Sequence, residues 1–180
     1  MQSKLTVFPE SSSSPEQDFL DFDSMRTQLE KVGIRYERWT AEKVLGDAST
    51  QEEVIIAYKA SIERLMKERG YVTVDVVSLN PESTGHGDAR KKFLDEHTHG
   101  EDEVRFFVDG SGMFYIHANS KVYMMLCTRG DLISLPAGTK HWFDMGPKPF
   151  FKAIRLFNNP DGWVAKFTGD SIASQFPKYE

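Results

Sequence analysis

From residue 103 to residue 157 the chain alternates short apolar segments with turns that contain glycine or small polar residues. This pattern constrains the fold more than any other feature. The segments are evenly spaced and read EVRFFVDG, MFYIHAN, KVYMMLC, DLISLPAG, KHWFDMG and FFKAIRLF. Short strands at even spacing indicate an antiparallel sandwich or barrel. The sequence therefore predicts a mainly β fold for this half of the chain.

The composition fits one packed domain covering residues 1–180. At 180 residues, with 39% hydrophobic residues and 13 phenylalanines, the chain can bury a sizeable core. The net charge is −5 and no dense run of Lys or Arg occurs, which argues against nucleic acid or an anionic membrane surface as partners. The polar N-terminal segment lacks the apolar core of a signal peptide, and no long apolar span follows. These features predict a soluble, cytoplasmic protein.

Two residues with reactive side chains receive structural interpretations. Cys127 is the single cysteine, so it cannot form an intrachain disulfide, and its place in the apolar run VYMMLC predicts a buried, inert thiol. His117 falls within one of the predicted strands and is interpreted as a structural or exposed histidine. Neither residue is assigned to a site.

Helices are predicted mainly within residues 24–70. Residues 9–18 form a polar segment rich in Pro and Ser, which predicts a loop. A short helix is predicted over residues 24–31. A second begins at the capping box of Thr50 and Glu53, carries an apolar stripe at helical spacing, and ends at Gly70. The architecture is thus a β-barrel with a few flanking helices.

A group of potential metal ligands precedes and follows the first of the strands. Along a strand the side-chain period is two, so His97 and His99 point to one face, and Glu103 shares their parity. Gly100 allows the chain to bend, and His141 comes from a distant strand. Three imidazoles and one carboxylate suit Fe, Ni, Mn, Co or Zn and leave roughly two positions of an octahedral ion free. An isolated H-x-H is more often a solvated loop or a core pair, but here two further ligands accompany it.

Two arginines are predicted to face the barrel interior. Arg105 keeps the parity of the ligands, and Arg155 lies in the apolar segment KAIRLF. A buried guanidinium is costly without a partner, so each meets a carboxylate or an anionic substrate. Structural ion pairs are the alternative, for example Arg105 with an acidic neighbour and Arg155 with Asp161 or Asp170. Asp102 has the opposite parity, which predicts that it holds the strand and does not touch substrate.

The spacing of the ligands resembles the two motifs of the cupin superfamily. The first block is HTH-x3-E-x6-G from His97, and the second is G-x5-PAG-x2-H ending at His141. Lys91 stands where the first motif usually opens with Gly, and Met145 where the second often closes with Asn, but neither is a ligand. The resemblance implies a small antiparallel β-barrel of the jelly-roll type whose mouth is lined by the histidines.

A closer resemblance links the chain to the acireductone dioxygenases of the methionine salvage pathway. It rests on EHTHGEDEVRFFVDGSG, DLISLPAGTKHWFDMG and IRLFNNPDGWVAKFTGD, in that order, and extends back through GIRYERW to all but about the first twenty residues. It implies that one Fe²⁺ or Ni²⁺ per chain, with Co²⁺ or Mn²⁺ possible in vitro, is bound by four residues: His97, His99, Glu103 and His141. It also implies that Arg105 favours the doubly deprotonated substrate and that Asp102 relays local structural change.

The resemblance also implies the reaction. The substrate is 1,2-dihydroxy-3-keto-5-methylthiopentene, and dioxygen is the second reactant. With Fe the products are formate and 4-methylthio-2-oxobutanoate, and with Ni they are formate, CO and 3-methylthiopropanoate. Apolar side chains are expected to receive the methylthio tail, with Arg155 as a further substrate contact; the apolar candidates are Phe106, Leu135 and Phe143. A monomer is expected.

Two alternatives remain open at the level of sequence. One is another metal-dependent cupin enzyme, an isomerase or a different dioxygenase, with the same ligands and another pocket. The other is a non-catalytic cupin that binds a ligand. Arg105 close to Glu103 and the GWVAKFTGD segment argue against the first, and the four intact ligands argue against the second.

Overall fold

The computed structural model describes residues 1–46 and 48–180. These residues form eleven β-strands, four α-helices and two short 3-10 helices. The strands are β1 Lys4–Pro9, β2 Gln17–Phe19, β3 Arg35–Arg38, β4 Thr73–Leu79, β5 His97–Thr98, β6 Glu103–Ala118, β7 Lys121–Thr128, β8 Asp131–Leu135, β9 Lys140–Asp144, β10 Phe151–Phe157 and β11 Lys166–Phe167. The α-helices are α1 Phe22–Glu30, α2 Gln51–Ala57, α3 Lys59–Arg69 and α4 His86–Phe93, and the 3-10 helices are Pro160–Trp163 and Ile172–Gln175.

The long strand β6 belongs to both halves of the barrel. Its first part pairs with β8 and β10, which in turn pair with β3 and β4. Its second part pairs with β7 and β9 and extends the order β11-β5-β9-β6-β7-β1-β2. The two parts meet at Gly110, whose φ is +72° and where a Cβ would overlap the carbonyl group of Phe150. Only glycine fits this corner without strain.

All strand pairs of the described residues are antiparallel. A buried apolar cluster combines side chains from both halves, including Phe107, Phe114, Phe143 and Phe151, and so lies between them. Because side chains alternate between the two faces of a strand, the residues of β6 next to Phe107 and Phe114 point outward. The predicted mainly β, antiparallel cupin-type architecture is confirmed.

Two further clusters cover the outer faces of the barrel. Helices α2 and α3 pack against one outer face, where residues such as Val54 and Leu65 contact Phe106 and its neighbours. The C-terminal segment covers the other outer face with Ile172 and Phe176. Helices α2 and α3 and the C-terminal segment therefore stabilise the barrel from outside, whereas Met25 and Leu29 of α1 belong to the interior cluster.

The predicted helices are present with different boundaries. Helix α1 begins at Phe22 after the N-cap Asp21, and α2 begins with the reciprocal hydrogen bonds of the capping box at Thr50. The predicted second helix is interrupted at Tyr58, where φ is −116° and ψ is 17°, so that α2 and α3 are separate. Helix α4 lies outside the range 24–70. In the described part of the chain, no helix has the length and apolar character needed to cross a membrane.

Candidate metal centre

Four predicted ligands come together at one end of the barrel interior. His97 on β5 is the direct strand partner of His141 on β9, while His99 and Glu103 flank the short turn between β5 and β6. All four side chains are buried. Each of the three histidines offers a ring nitrogen, and these atoms lie within 4.8 Å of one another. The structure therefore brings together residues from three strands that are up to 44 positions apart in the sequence.

In the rings of His97 and His141, a hydrogen bond at Nδ1 determines which ring nitrogen carries the lone pair. The Nδ1 of His97 lies 2.7 Å from the carbonyl oxygen of Asp95, and the Nδ1 of His141 lies 2.8 Å from that of Thr139. A carbonyl oxygen only accepts, so each Nδ1 carries the hydrogen. In a neutral ring, Nε2 is then the unprotonated nitrogen, which is the form that binds a metal.

Glu103 lies directly against two of these rings. Its Oε2 is 2.9 Å from Nε2 of His141 and 3.1 Å from Nε2 of His99. With the tautomer assigned above, the His141 contact brings together two hydrogen-bond acceptors, each with a lone pair, which repel each other unless positive charge lies between them. A divalent cation supplies that charge. The donor set and its arrangement thus fit a divalent metal ion.

Burial and neighbouring charges give these ligands suitable protonation states. Burial, helped by the proximity of His141, lowers the pKa of His97 to about 4, so this ring is neutral at pH 7. Burial alone would raise the pKa of Glu103. The positive charge of Arg105 outweighs burial and holds the pKa of this carboxyl well below its usual range. A neutral imidazole and an ionised carboxylate are the forms that metal binding requires.

Arg105 lies beside the centre, as its parity predicts. Its Nε donates to Oε1 of Glu103 at 2.8 Å, so the carboxylate joins the arginine to the histidines. The guanidinium carbon lies 5.0 Å from the ring centroid of Phe143 and 5.8 Å from that of Trp163. An acidic neighbour is therefore the partner of this arginine, and two aromatic faces support its charge.

Arg155 is paired with a carboxylate that was not among the expected partners. It is the strand neighbour of Arg105, and its Nε donates to Oδ1 of Asp75 on β4 at 2.8 Å. The expected partners Asp161 and Asp170 are not used in this pair. The guanidinium carbon of Arg155 lies 5.2 Å from the ring centroid of Trp163. Both arginines thus contact the same indole.

Trp163 is the residue of this region that sequence analysis did not assign. It lies in the first 3-10 helix, and its Nε1 donates to the backbone carbonyl oxygen of Asp102 at 3.0 Å. It was visible only as part of the GWVAKFTGD segment, because a single tryptophan in an irregular segment carries no periodic signal. Its ring contacts the guanidinium groups of both Arg105 and Arg155.

Asp102 points away from the ligands and fastens the turn that precedes Glu103. Its carboxylate accepts hydrogen bonds from the hydroxyl of Tyr71 at 2.7 Å and from the backbone N–H of Ala137 at 3.0 Å. These contacts connect the start of β6 with two other parts of the chain. The geometry agrees with a residue that holds the strand.

The three apolar pocket candidates occupy different places. Leu135 is the strand partner of Glu103 and is buried in the interior cluster, as is Phe143. Phe106 lies on the outer face of β6, with its ring 4.9 Å from that of Trp39 and 4.6 Å from that of Tyr58. It follows Arg105 directly and so has the opposite parity. The structure does not bring Phe106 to the interior, and we leave it out of the pocket.

Comparison with known proteins gives one consistent result. The family model described as the ARD/ARD' family matches residues 4–165. The chain is 56% identical to an acireductone dioxygenase of Pseudomonas paraeruginosa, covering 99% of both chains, and 56% identical to one of Alcanivorax borkumensis, covering 98% of both. Its fold is similar to a solved acireductone dioxygenase of Bacillus anthracis with a cadmium ion in its active centre. That similarity has a TM-score of 0.79 at 26% identity and covers 92% of this chain and 98% of the other. The chain belongs to the ARD/ARD' family.

Proposed function

We propose that this protein is a metal-dependent enzyme of methionine salvage that cleaves acireductone, 1,2-dihydroxy-3-keto-5-methylthiopentene, with dioxygen. The observation that carries the proposal is the convergence of His97, His99, Glu103 and His141 in one buried group beside Arg105. Relatives named acireductone dioxygenase that share 56% of their residues over the whole chain support it.

The resident cofactor is one divalent ion, which we propose to be Fe²⁺ or Ni²⁺. Imidazole and carboxylate ligands suit both ions, and the Irving–Williams order ranks Ni²⁺ above Fe²⁺ in affinity. The ligands alone therefore do not enforce a choice between them. The cadmium ion in the active centre of the Bacillus anthracis relative supports a site that accepts divalent ions of different kinds. Co²⁺ and Mn²⁺ are expected to bind in vitro.

Arg105 is the proposed catalytic side chain of the protein itself. When bound, the ion supplies a Lewis acid that polarises the oxygens of the substrate. Arg105 adds a second positive charge beside the same position, and opposite charge lowers the pKa of an enediol and favours its dianion. Its hydrogen bond to Glu103 and its contact with Phe143 hold the guanidinium there.

The remaining residues shape the pocket. Leu135 and Phe143 present buried apolar surface on the interior side, suited to the methylthio tail. We propose that Arg155, already neutralised by Asp75, orients substrate through Trp163 and carries no free charge into the reaction. Asp102 is proposed to relay changes at the centre to the turn that it fastens, through its contact with Trp163.

We also propose that the protein is a cytoplasmic monomer that acts on small molecules only. All four ligands come from one chain, so no second copy is needed to complete the centre. The buried thiol of Cys127 is free, which agrees with a reducing compartment. Light scattering at several protein concentrations tests the monomer.

The decisive experiment exchanges the metal. Apoprotein is loaded separately with Fe²⁺ and Ni²⁺ and mixed with synthetic acireductone under oxygen. We expect formate and 4-methylthio-2-oxobutanoate from the iron form, and formate, CO and 3-methylthiopropanoate from the nickel form. His99→Ala, which removes one proposed ligand, is the control and should lose most of the metal and the turnover. If neither loaded form consumes substrate faster than free metal, a non-catalytic or different cupin is the better account.

A further inference from the structure

Phe167 combines an exposed aromatic ring with a place next to the metal centre, and the proposed mechanism does not use it. The residue is 53% exposed, although phenylalanine is among the residues most often buried. Its ring centroid lies 5.9 Å from that of the proposed ligand His97. Single apolar side chains are common on protein surfaces, so the position of this ring, and not its exposure alone, carries the argument.

The strand pairing places Phe167 on the face that carries the ligands. His97 on β5 pairs directly with His141 on β9, and Phe167 on β11 pairs directly with His97. The side chains of directly paired residues lie on the same face of an antiparallel sheet. The three rings therefore form a row on the interior face. Because β11 is the last strand at this edge of the described sheet, Phe167 lies at the rim of the barrel.

The segment that carries Phe167 connects the two halves of the barrel beside the centre. Four residues earlier, Trp163 contacts the guanidinium group of Arg105, which belongs to the half that contains β8 and β10. Both ends of the segment are fastened. The carbonyl oxygen of Gly162 accepts a hydrogen bond from the N–H of Gly100 at 2.9 Å, and Phe167 is held by its strand pair. The ring therefore has a defined place at the end of the barrel where the ligands lie.

The interior residues proposed for the methylthio tail leave little surface for it. Leu135 is 1% exposed and Phe143 is 2% exposed, because both are packed in the interior cluster. A tail is stabilised by covering apolar surface that water otherwise contacts, and Phe167 offers such surface on the face of the ligands. The tail extends four bonds beyond the last chelating carbon of the substrate and so spans about 5 Å. That length is comparable with the 5.9 Å between the rings of His97 and Phe167.

We propose that Phe167 is a specificity-determining residue that receives the methylthio tail of the substrate at the rim of the barrel. The proposal rests on the proposed function, because it requires the oxygens of the substrate to be held at the metal. The bound tail covers the exposed ring, and its sulfur makes a favourable contact with the aromatic group. A compound that lacks the tail covers less apolar surface and binds more weakly.

The test uses inert chelators in place of the substrate. Hydroxamates bind metal ions through two oxygens, and 3-(methylthio)propanohydroxamate carries the tail of the substrate, whereas acetohydroxamate lacks it. Their dissociation constants from the Ni²⁺-loaded protein are measured by the change in the absorption spectrum of Ni²⁺. The ratio of the two constants is the tail preference, and it does not depend on turnover. We expect Phe167→Ala to lower this preference by about 4- to 15-fold, equivalent to one or two buried methylene groups.

Phe150→Ala is the matched control. Phe150 is 54% exposed but directly precedes β10 at the other end of the barrel. Its neighbour Phe151 pairs with Gly110, which lies about 24 Å along β6 from Glu103. This variant should keep the wild-type tail preference. Phe167→Leu retains an apolar side chain and should recover most of the preference, and the affinity for Ni²⁺, measured by competition with a chelator, should be equal in all variants.

The possible outcomes separate this proposal from the proposed function. An unchanged tail preference in Phe167→Ala, or an equal loss in Phe150→Ala, would overturn the role of Phe167 and leave the proposed function intact. Weaker Ni²⁺ binding in Phe167→Ala with an unchanged tail preference would show that the ring only supports His97, which also overturns the proposal. If the wild-type protein loaded with Ni²⁺ binds neither hydroxamate, the open coordination positions of the proposed function are wrong, and the role of Phe167 is refuted with them.

Discussion

The contact between Gly112 and Phe143 couples the packing of the barrel to its proposed active centre. Gly112 is buried in β6, and a methyl group added there would lie 2.6 Å from Cε2 of Phe143 and closer still to its Cζ. The same ring supports the guanidinium of Arg105 at 5.0 Å. We therefore expect Gly112→Ala to disturb both stability and turnover.

The size of the effect follows from how little Phe143 can move. Its ring is 2% exposed and packs at 4.8 Å from the ring of Phe114 and 6.1 Å from that of Phe151. Inserting a methyl group into such a core costs about 1–3 kcal/mol of unfolding free energy. For a chain of this length each kcal/mol corresponds to about 2–4 °C, so the melting temperature should fall by about 2–12 °C.

The assay is a double-mutant cycle. The free energy of unfolding of each variant is measured by denaturation in urea. Phe143→Leu alone destabilises the protein because it leaves a cavity. In Gly112→Ala/Phe143→Leu the methyl group fills part of that cavity, so the combined loss should be smaller than the sum by about 0.5–3 kcal/mol. Metal content should be unchanged in all three variants, while turnover falls in Gly112→Ala. If the losses of unfolding free energy are strictly additive, or if Gly112→Ala leaves the stability unchanged, then the inferred overlap between the added methyl group and the ring of Phe143 is wrong.

Three further outcomes are expected. His141→Ala should lose most of the bound metal and the turnover, because it removes one proposed ligand; metal analysis by mass spectrometry measures this, and full occupancy would contradict the assignment. Arg105→Ala should keep the metal but lose turnover, and the loss should ease at higher pH, where solvent deprotonates the substrate; an unchanged pH–rate profile would exclude the electrostatic role. Burial opposes protonation of His117, but hydrogen bonds to Glu10 and Glu96 outweigh it, and Lys140 nearby only weakens the effect, so the pKa of His117 lies above 6.5. Its stabilising contribution is then complete below the unfolded pKa and is lost as pH rises through the folded pKa. The difference in unfolding free energy between wild type and His117→Leu should therefore be larger near about pH 6 than near about pH 9.

Alternation along β-strands accounts for only part of what the sequence predicted. The predicted ligands His97, His99 and Glu103 do come together, but β5 ends at Thr98 and Glu103 begins β6, so the turn between the strands and not their shared parity brings them together. Along β6 itself, alternation places Arg105 on the same face as Glu103. The rule also excludes Phe106, which directly follows Arg105 and lies on the outer face. The pocket prediction for that residue relied on its apolar character and overlooked its parity.

Contacts between distant segments could not be predicted in this way. The partner of Arg155 is Asp75, because β10 pairs with β4 in a register that brings these residues opposite each other. The hydrophobic pattern indicates which face of each strand is buried, but it does not tell which of several distant strands pairs with β10. Trp163 lies in a 3-10 helix without periodic neighbours, and its position depends on the chain folding back onto Asp102.

The predicted long helix is interrupted at Tyr58 although its apolar stripe continues through this residue. The apolar stripe through Val54, Tyr58, Ile62 and Leu65 is continuous at helical spacing, and all four residues are buried. Tyr58 nevertheless leaves the helical conformation, and its ring packs 4.6 Å from that of Phe106. The stripe correctly identified the buried face, but helical spacing alone contained no signal for the break at Tyr58.

The two faces of β6 separate the functions of its residues. Glu103 and Arg105 point inward to the proposed centre, while Val104, Phe106 and Val108 point outward and join the helices to the barrel. An inward substitution acts on charge and coordination directly, whereas an outward one acts through stability.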